Sequence, residues 1–146
     1  MRSSHTWSVL IVDDDNDSLQ TLTAMLTEYK ANVQSAASAA EAFDLLQWFN
    51  PDVLVSDLAM PGEDGYSLIT KMRELDATRG HNISAVALTA YVRVEDRTRA
   101  LAAGFNLFVP KPVEFGELIM AIANLAEIGR DQTFEGPDIL RSTTIS

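Results

Sequence analysis

The sequence contains no cysteine and only two histidines, His5 and His81. Without cysteine there is no disulfide, no zinc–thiolate site and no thiol nucleophile. The two histidines fall in stretches expected as tail and loop, so a histidine metal cluster or a Ser-His-Asp triad has almost nothing to build on. Positive charge is also scarce. Eleven Lys and Arg face 21 Asp and Glu, a net charge of −10, which repels a nucleic-acid backbone. No direct contact with nucleic acid is expected. No apolar run reaches the roughly 18 residues needed to span a bilayer, and the N-terminal MRSSHTW lacks the apolar stretch of a signal peptide. The expectation is a cytoplasmic protein without membrane contact.

What remains is an ordinary globular composition, 47% hydrophobic and 22% charged over 146 residues. That length suits one domain able to bury about 70% of its unfolded surface. Two periodicities alternate along it. Apolar runs of strand length occur at Val9–Val12, Val53–Val55, Ala85–Leu88 and Leu107–Val109, with a weaker one near Val33. Each is followed by apolar residues at helical spacing: Leu19, Leu22, Met25, Leu26 and Tyr29; Ala42, Leu45, Leu46 and Phe49; Leu68, Ile69, Met72 and Leu75; Val94, Leu101 and Ala102; Leu118, Ile119, Ile122 and Leu125. Pro51, Gly80 and Gly104 punctuate the boundaries. Five βα units with strands this apolar predict an α/β fold, a parallel sheet covered on both faces. Five strands fit a single flavodoxin-like (βα)5 doubly wound domain of order 2-1-3-4-5, whose working site lies at the carboxyl ends of the strands. After Ala126 the periodicity stops. Residues 1–6 are expected as an N-terminal tail, 7–127 as the domain and 128–146 as a C-terminal tail, flexible or docked through Phe134 and Ile139-Leu140.

The strand ends carry the chemistry. The first ends in Asp13-Asp14-Asp15, the third in Asp57, the fourth in Thr89 and the fifth in Lys111. A polar strand end taken alone only marks where a strand meets water. In the 2-1-3-4-5 order, however, strands 1 and 3 are neighbours, so the acidic cluster and Asp57 share one crevice. Crowded carboxylates repel and call for a cation. Oxygen donors without histidine or cysteine select a hard one such as Mg²⁺. A carboxylate beside Mg²⁺, with a hydroxyl and an ammonium across from it, suits phosphoryl transfer, and aspartate is a known phosphoryl-accepting nucleophile. The first βα turn, VDDDNDS, has no glycine to cradle a pyrophosphate, which argues against a nucleotide-binding protein.

VLIVDDDNDS, VLVSDLAMPGEDGYSLI, AVALTAY and FVPKPV, in that order, resemble the receiver domain of two-component response regulators, over about residues 7 to 127. LTAY and the GY of the second block look somewhat like receivers of hybrid histidine kinases. The resemblance implies that Asp57 accepts a phosphoryl group from a phosphohistidine on a sensor histidine kinase or histidine phosphotransfer protein. It implies Mg²⁺ held by Asp14, Asp57 and the main-chain carbonyl of Ala59, with Asp13 acting mainly through water. Thr89 matches the switch hydroxyl and Lys111 the lysine that pairs with the phosphoryl group. A cis bond between Lys111 and Pro112 belongs to the same pattern. Downstream proteins would dock on the helix 4–strand 5–helix 5 face, and a homodimer formed on phosphorylation belongs to the same family repertoire.

Phe108 matches a switch aromatic. Having no hydroxyl, it is expected to act through burial alone, and plain core packing competes with that role. Ala59 and Tyr91, two residues beyond Asp57 and Thr89, match positions that modulate phosphoryl lifetime; Ala59 offers no side chain to orient water, and Tyr91 would shield the site. Asp15 and Asp17 read as helix N-terminal acids. Pro61-Gly62 and Asp64-Gly65 read as turn and helix-start signals. Arg93, Arg97 and Arg99 read as a solvated basic face. Two other functions compete: a phosphatase of the haloacid dehalogenase type, which needs a second acid where Ala59 stands, and a protein-binding module that works unphosphorylated. The expectation is no enzyme in the ordinary sense, only self-phosphorylation and slow autodephosphorylation.

Overall fold

Every apolar run becomes a strand in the computed structural model, which describes residues 6–60, 64–90 and 93–132, the last four without their side chains. The strands are β1 (Ser8–Val12), β2 (Asn32–Ala36), β3 (Val53–Asp57), β4 (Ser84–Thr89) and β5 (Leu107–Pro110). The helices are α1 (Asn16–Glu28), α2 (Ala39–Leu46), α3 (Gly65–Arg79), α4 (Val94–Ala103) and α5 (Phe115–Gln132). All strand pairs are parallel and the order is β2-β1-β3-β4-β5, the flavodoxin-like arrangement expected.

The unbroken apolarity of the central strands follows from burial on both faces, since successive side chains point to opposite sides. Leu10, Val12, Leu54, Ala85 and Ala87 pack on one side with Leu46, Leu68 and Met72. Val9, Ile11, Val53, Val55, Val86 and Leu88 pack on the other with Leu22, Leu26, Leu118 and Ile122. β2 is an edge strand and only its last residue is buried. That explains its weaker apolar signal.

Helix ends are set by local signals. Ser38 caps α2 by accepting from the Glu41 N–H, and the Glu41 carboxylate accepts from the Ala37 N–H. Asp64 caps α3 by accepting from the Ser67 N–H at 3.0 Å. Gly80 (φ 71°) ends α3 in the left-handed region.

Three elements depart from the spacing. α2 stops at Leu46, and Phe49 packs into the core from the turn beyond it. α5 continues to Gln132, so residues 128–132 of the expected C-terminal tail are helical, while 133–146 lie outside the described residues. α4 turns its expected apolar face outward: Val94 is 76% exposed, Leu101 50%, and Ala102 is exposed too. Its one buried side chain is Ala100. Ten residues with so small an inward group bury little apolar surface, so α4 is the helix least tied to the core.

Gly65 proves to be more than a helix-start signal. A Cβ there would press into the Asp57 carbonyl oxygen and stand 3.0 Å from Leu58 Cα, while the Gly65 N–H donates to the Leu58 carbonyl at 3.0 Å. We expect Gly65→Ala to destabilise the protein by about 1–3 kcal/mol through this overpacking, read as a lower midpoint of urea unfolding. An unchanged midpoint would mean that the start of α3 yields freely.

Arg73 of α3 was not singled out by any sequence pattern, yet it ties the opposite end of the sheet together. Its guanidinium donates to the carbonyls of Ile83 and Gly104, to Asn106 Oδ1, and to the buried Asp76 carboxylate at 2.9 Å.

Candidate functional site

Strand order alone brings the predicted polar strand ends together. β1 and β3 are neighbours, β3 pairs with β4 so that Asp57 lies opposite Leu88, and β4 pairs with β5 so that Thr89 lies opposite Pro110. Asp13, Asp57, Thr89 and Lys111 therefore project from four adjacent strand ends. The Lys111 N–H donates to the Thr89 carbonyl at 2.8 Å, fixing where the lysine leaves the sheet, and the Lys111–Pro112 bond is cis.

Asp13 is fully buried. Its Oδ1 accepts from the Asp15 N–H at 2.9 Å and its Oδ2 from Lys111 Nζ at 3.2 Å. Asp57 is 7% exposed, with Oδ2 3.4 Å from the same Nζ and Oδ1 accepting a long hydrogen bond from the Ala59 N–H at 3.4 Å. Lys111 thus bridges two carboxylates from two strands. Asp14 is exposed at the rim, and one oxygen from each of Asp13, Asp14 and Asp57 lies within 4.8 Å of the others. Three carboxylate oxygens so close, without nitrogen or sulfur donors, fit a small hard dication such as Mg²⁺. Thr89 is buried beside them. Asp15 forms the α1 N-cap, its carboxylate accepting from Ser18 Oγ, and Asp17 lies in the first turn.

The electrostatics follow from burial and crowding. Burial pushes the Asp57 carboxyl above its ordinary value of 3.8, the Asp13 carboxylate adds to the rise, and Lys111 offsets only part of it. For Lys111, burial pulls downward, but the Asp57 and Asp13 carboxylates together outweigh it and the ammonium is held above 10.5. The site is a fixed cation among acids, one of which carries its charge reluctantly.

Two hollows open near these strand ends. One of about 300 Å³ lies between α1 and the turn after β5, lined by Asp13, Ser18, Leu22, Lys111, Pro112 and Phe115. The other, about 230 Å³, is lined by Ala59, Asp64, Tyr66, Thr89, Asp96 and Arg99. Ala59 leaves this second side open, as its short side chain implies. Tyr91 lies outside the described residues, as do Pro61 and Gly62.

The basic residues of α4 are not simply a solvated face. Arg93 pairs with Asp96 at 3.6 Å, Arg97 lies 5.5 Å from the centre of the Phe108 ring, and Arg99 lies 3.8 Å from the centre of the Tyr66 ring. Phe108 is partly buried, packed against the core on one side and under Arg97 on the other. In this state Phe108 thus has a ring contact with Arg97 besides its burial. A guanidinium over an aromatic face is attracted by the ring quadrupole. The Arg93–Asp96 pair has ordinary helical spacing, but no such spacing could have revealed the two ring contacts, because Phe108 lies on β5 and Tyr66 on α3.

Known proteins with this architecture carry the assignment further. The model of the response regulator receiver domain family matches residues 9–123. An uncharacterised 14.6 kDa protein of Leptolyngbya boryana is 45% identical over 84% of this chain and 92% of its own length. Hybrid signal transduction histidine kinase D of Dictyostelium discoideum is 34% identical over 82% of this chain, which spans 8% of the kinase. The chain spans about half the length of other curated relatives that it matches, several of them response regulators. The solved receiver domain of Francisella response regulator 1452 superposes with a TM-score of 0.77, at 28% identity, over 84% of this chain and 98% of its own. Fold, strand-end constellation and family match agree: the chain belongs to the response regulator receiver domain family.

Proposed function

We propose that this protein is the phosphoacceptor module of a two-component or phosphorelay system, with Asp57 as the residue that takes the phosphoryl group. The observation that carries this is the placement of Asp57, buried at a strand end, with Lys111 Nζ at 3.4 Å and two further carboxylates within one cation's reach. In the transfer, the P–N bond of a partner phosphohistidine breaks and a bond from phosphorus to an Asp57 carboxylate oxygen forms. The imidazole nitrogen keeps the electron pair and takes up a proton from solvent.

Asp13, Asp14, Asp57 and the Ala59 carbonyl would hold Mg²⁺, which supplies charge neutralisation of the phosphoryl oxygens when bound. Asp13 is already engaged by Lys111 and the Asp15 N–H, which suits a contact through water, whereas exposed Asp14 is available directly. Thr89 would donate its hydroxyl to the phosphoryl group, and Lys111 would shift from the Asp57 carboxylate to the new anion. Partners of this type are a sensor histidine kinase or a histidine phosphotransfer protein, and a downstream protein on the α4–β5–α5 face. That face holds Phe108 and Arg97 together with exposed Leu101 and Leu107.

The phosphatase reading is disfavoured by Ala59, whose methyl group can neither give nor take a proton. An unphosphorylated binding module is disfavoured because the full set of acids, hydroxyl and lysine is assembled. No helix among the described residues is long and apolar enough to cross a membrane.

A small acyl phosphate with Mg²⁺ is expected to add one phosphoryl mass to the protein, seen by intact mass spectrometry. Asp14→Ala should raise the Mg²⁺ concentration needed for half-maximal labelling by about tenfold or more, the loss of one direct carboxylate ligand. Labelling without Mg²⁺, or an unchanged requirement in that variant, would place the metal elsewhere.

A further inference from the structure

The hollow bounded by Ala59 and Thr89 contains one cation among its described lining residues, Arg99. Lys111 is absent from this lining; its Nζ lies 3.4 Å from Asp57 Oδ2 and 3.2 Å from Asp13 Oδ2. Two acids also face the hollow. Asp64 accepts from the Ser67 N–H, and Asp96 lies 3.6 Å from Arg93. A phosphoryl group on Asp57 would bring −1.5 to −2 charges next to these carboxylates. Its Thr89-side oxygens would face repulsion from these acids, and Lys111, the cation nearest Asp57, is shared with Asp13. Arg99 is exposed, on a long side chain, and its guanidinium lies over the ring of Tyr66, which also lines the hollow.

We propose that Arg99 is a phosphoryl-binding residue, stored on the Tyr66 ring in the resting protein and drawn onto the phosphoryl oxygens when Asp57 is modified. A guanidinium offers paired donors that match phosphate oxygens, and charge-assisted bonds of this kind are stronger than an exposed cation–π contact. The exchange is therefore downhill once the anion arrives. It also moves α4. The helix buries only Ala100, the residue next to Arg99, so little apolar contact resists a shift that follows the guanidinium. The same helix carries Arg97 over Phe108, so a shift of α4 would reach the α4–β5 surface through that second ring contact.

This inference rests on Asp57 being the phosphoacceptor, and the test separates the two. With the full chain and Mg²⁺, beryllium fluoride serves as the phosphoryl mimic, titrated by the change in amide NMR signals. Intact mass after acyl phosphate treatment reports Asp57 independently. Arg99→Gln is expected to weaken beryllium fluoride binding about tenfold, as for the loss of a charge-assisted contact. Tyr66→Leu, which frees Arg99 from its ring, is expected to strengthen it about threefold, the worth of one exposed cation–π contact. The Arg99 Nε–H signal should move on binding in the parent chain. Opposite signs for the two variants would not arise if both residues merely supported the fold. Unchanged affinity in both, weaker binding in both, or a stationary Nε signal while Asp57 is labelled overturns the proposal alone. Absence of any phosphoryl mass in the parent chain overturns the phosphoacceptor reading, and this inference with it.

Discussion

Asp57→Asn is expected to take up no phosphoryl group and to be more stable than the parent protein in the absence of Mg²⁺. The first effect is all-or-none, because an amide oxygen is not a nucleophile for this transfer. The second follows from the sign of the Asp57 shift. Burial and the Asp13 carboxylate hold its folded-state pKa above the ordinary 3.8. Between the unfolded and folded values the folded state binds more protons, so stability falls as pH rises through that window. Above the window the ionised carboxylate is a standing cost of folding, and the amide removes it. Lys111 keeps Asp13 as its partner at 3.2 Å, so the variant does not strand the ammonium. A gain on the order of 1 kcal/mol at neutral pH corresponds to a melting temperature about 2–4 °C higher. The gain should vanish when both proteins are acidified below pH 3.8. A mutant that still gains the phosphoryl mass would overturn the assignment of Asp57. A mutant less stable than the parent at neutral pH would mean that the Lys111 attraction outweighs burial.

Lys111→Met should act in the opposite direction. Removing the ammonium leaves fully buried Asp13 facing nearly buried Asp57 with no cation between them. Breaking a buried pair from one side is costly, and with Lys111 itself about a quarter exposed a loss of about 2–3 kcal/mol at neutral pH is the expected size. The sign with pH is again set by the shift. Lys111 is held above 10.5, so its contribution is complete below that value and is lost as pH rises through the folded-state pKa. On the alkaline side the parent should therefore keep its advantage over the variant until strong alkali discharges Lys111. Acidification should also narrow the gap, since protonating Asp57, whose carboxyl is held above 3.8, removes its charge from beside Asp13. Millimolar Mg²⁺ should restore part of the loss if the three acids bind it. Chemical denaturation across pH and Mg²⁺ concentration would measure all three effects. Combining Lys111→Met with Asp57→Asn should cost less than the sum of the separate changes, because the two residues share one interaction. Strict additivity would sink the electrostatic account.

The fold was legible because its causes are local. Val9–Val12 and Val53–Val55 are apolar at every position, and only a strand covered on both faces asks for that. Leu118 and Ile122 lie one helical turn apart and bury together. Where burial is slight the pattern misled. Val94 and Leu101 look like an inward face but stand in solvent, since a short helix seated on Ala100 needs no broad apolar stripe.

The candidate site divides along the same line. Asp13, Asp14, Asp57, Thr89 and Lys111 could be read from the sequence because each ends an apolar run, and a parallel sheet brings such ends to one edge. The sequence by itself thus determined the layered architecture, the strand order and the identity of the groups at the crevice. Tertiary structure decided how those groups are shared: that one ammonium bridges Asp13 and Asp57, that Gly65 admits α3 against the Asp57 carbonyl, and that Arg97 and Arg99 rest on the rings of Phe108 and Tyr66. The physical reason is range. Apolar periodicity is set within a few residues, whereas a long cationic side chain finds its partner on whichever neighbouring element the packed helices and strands bring within reach.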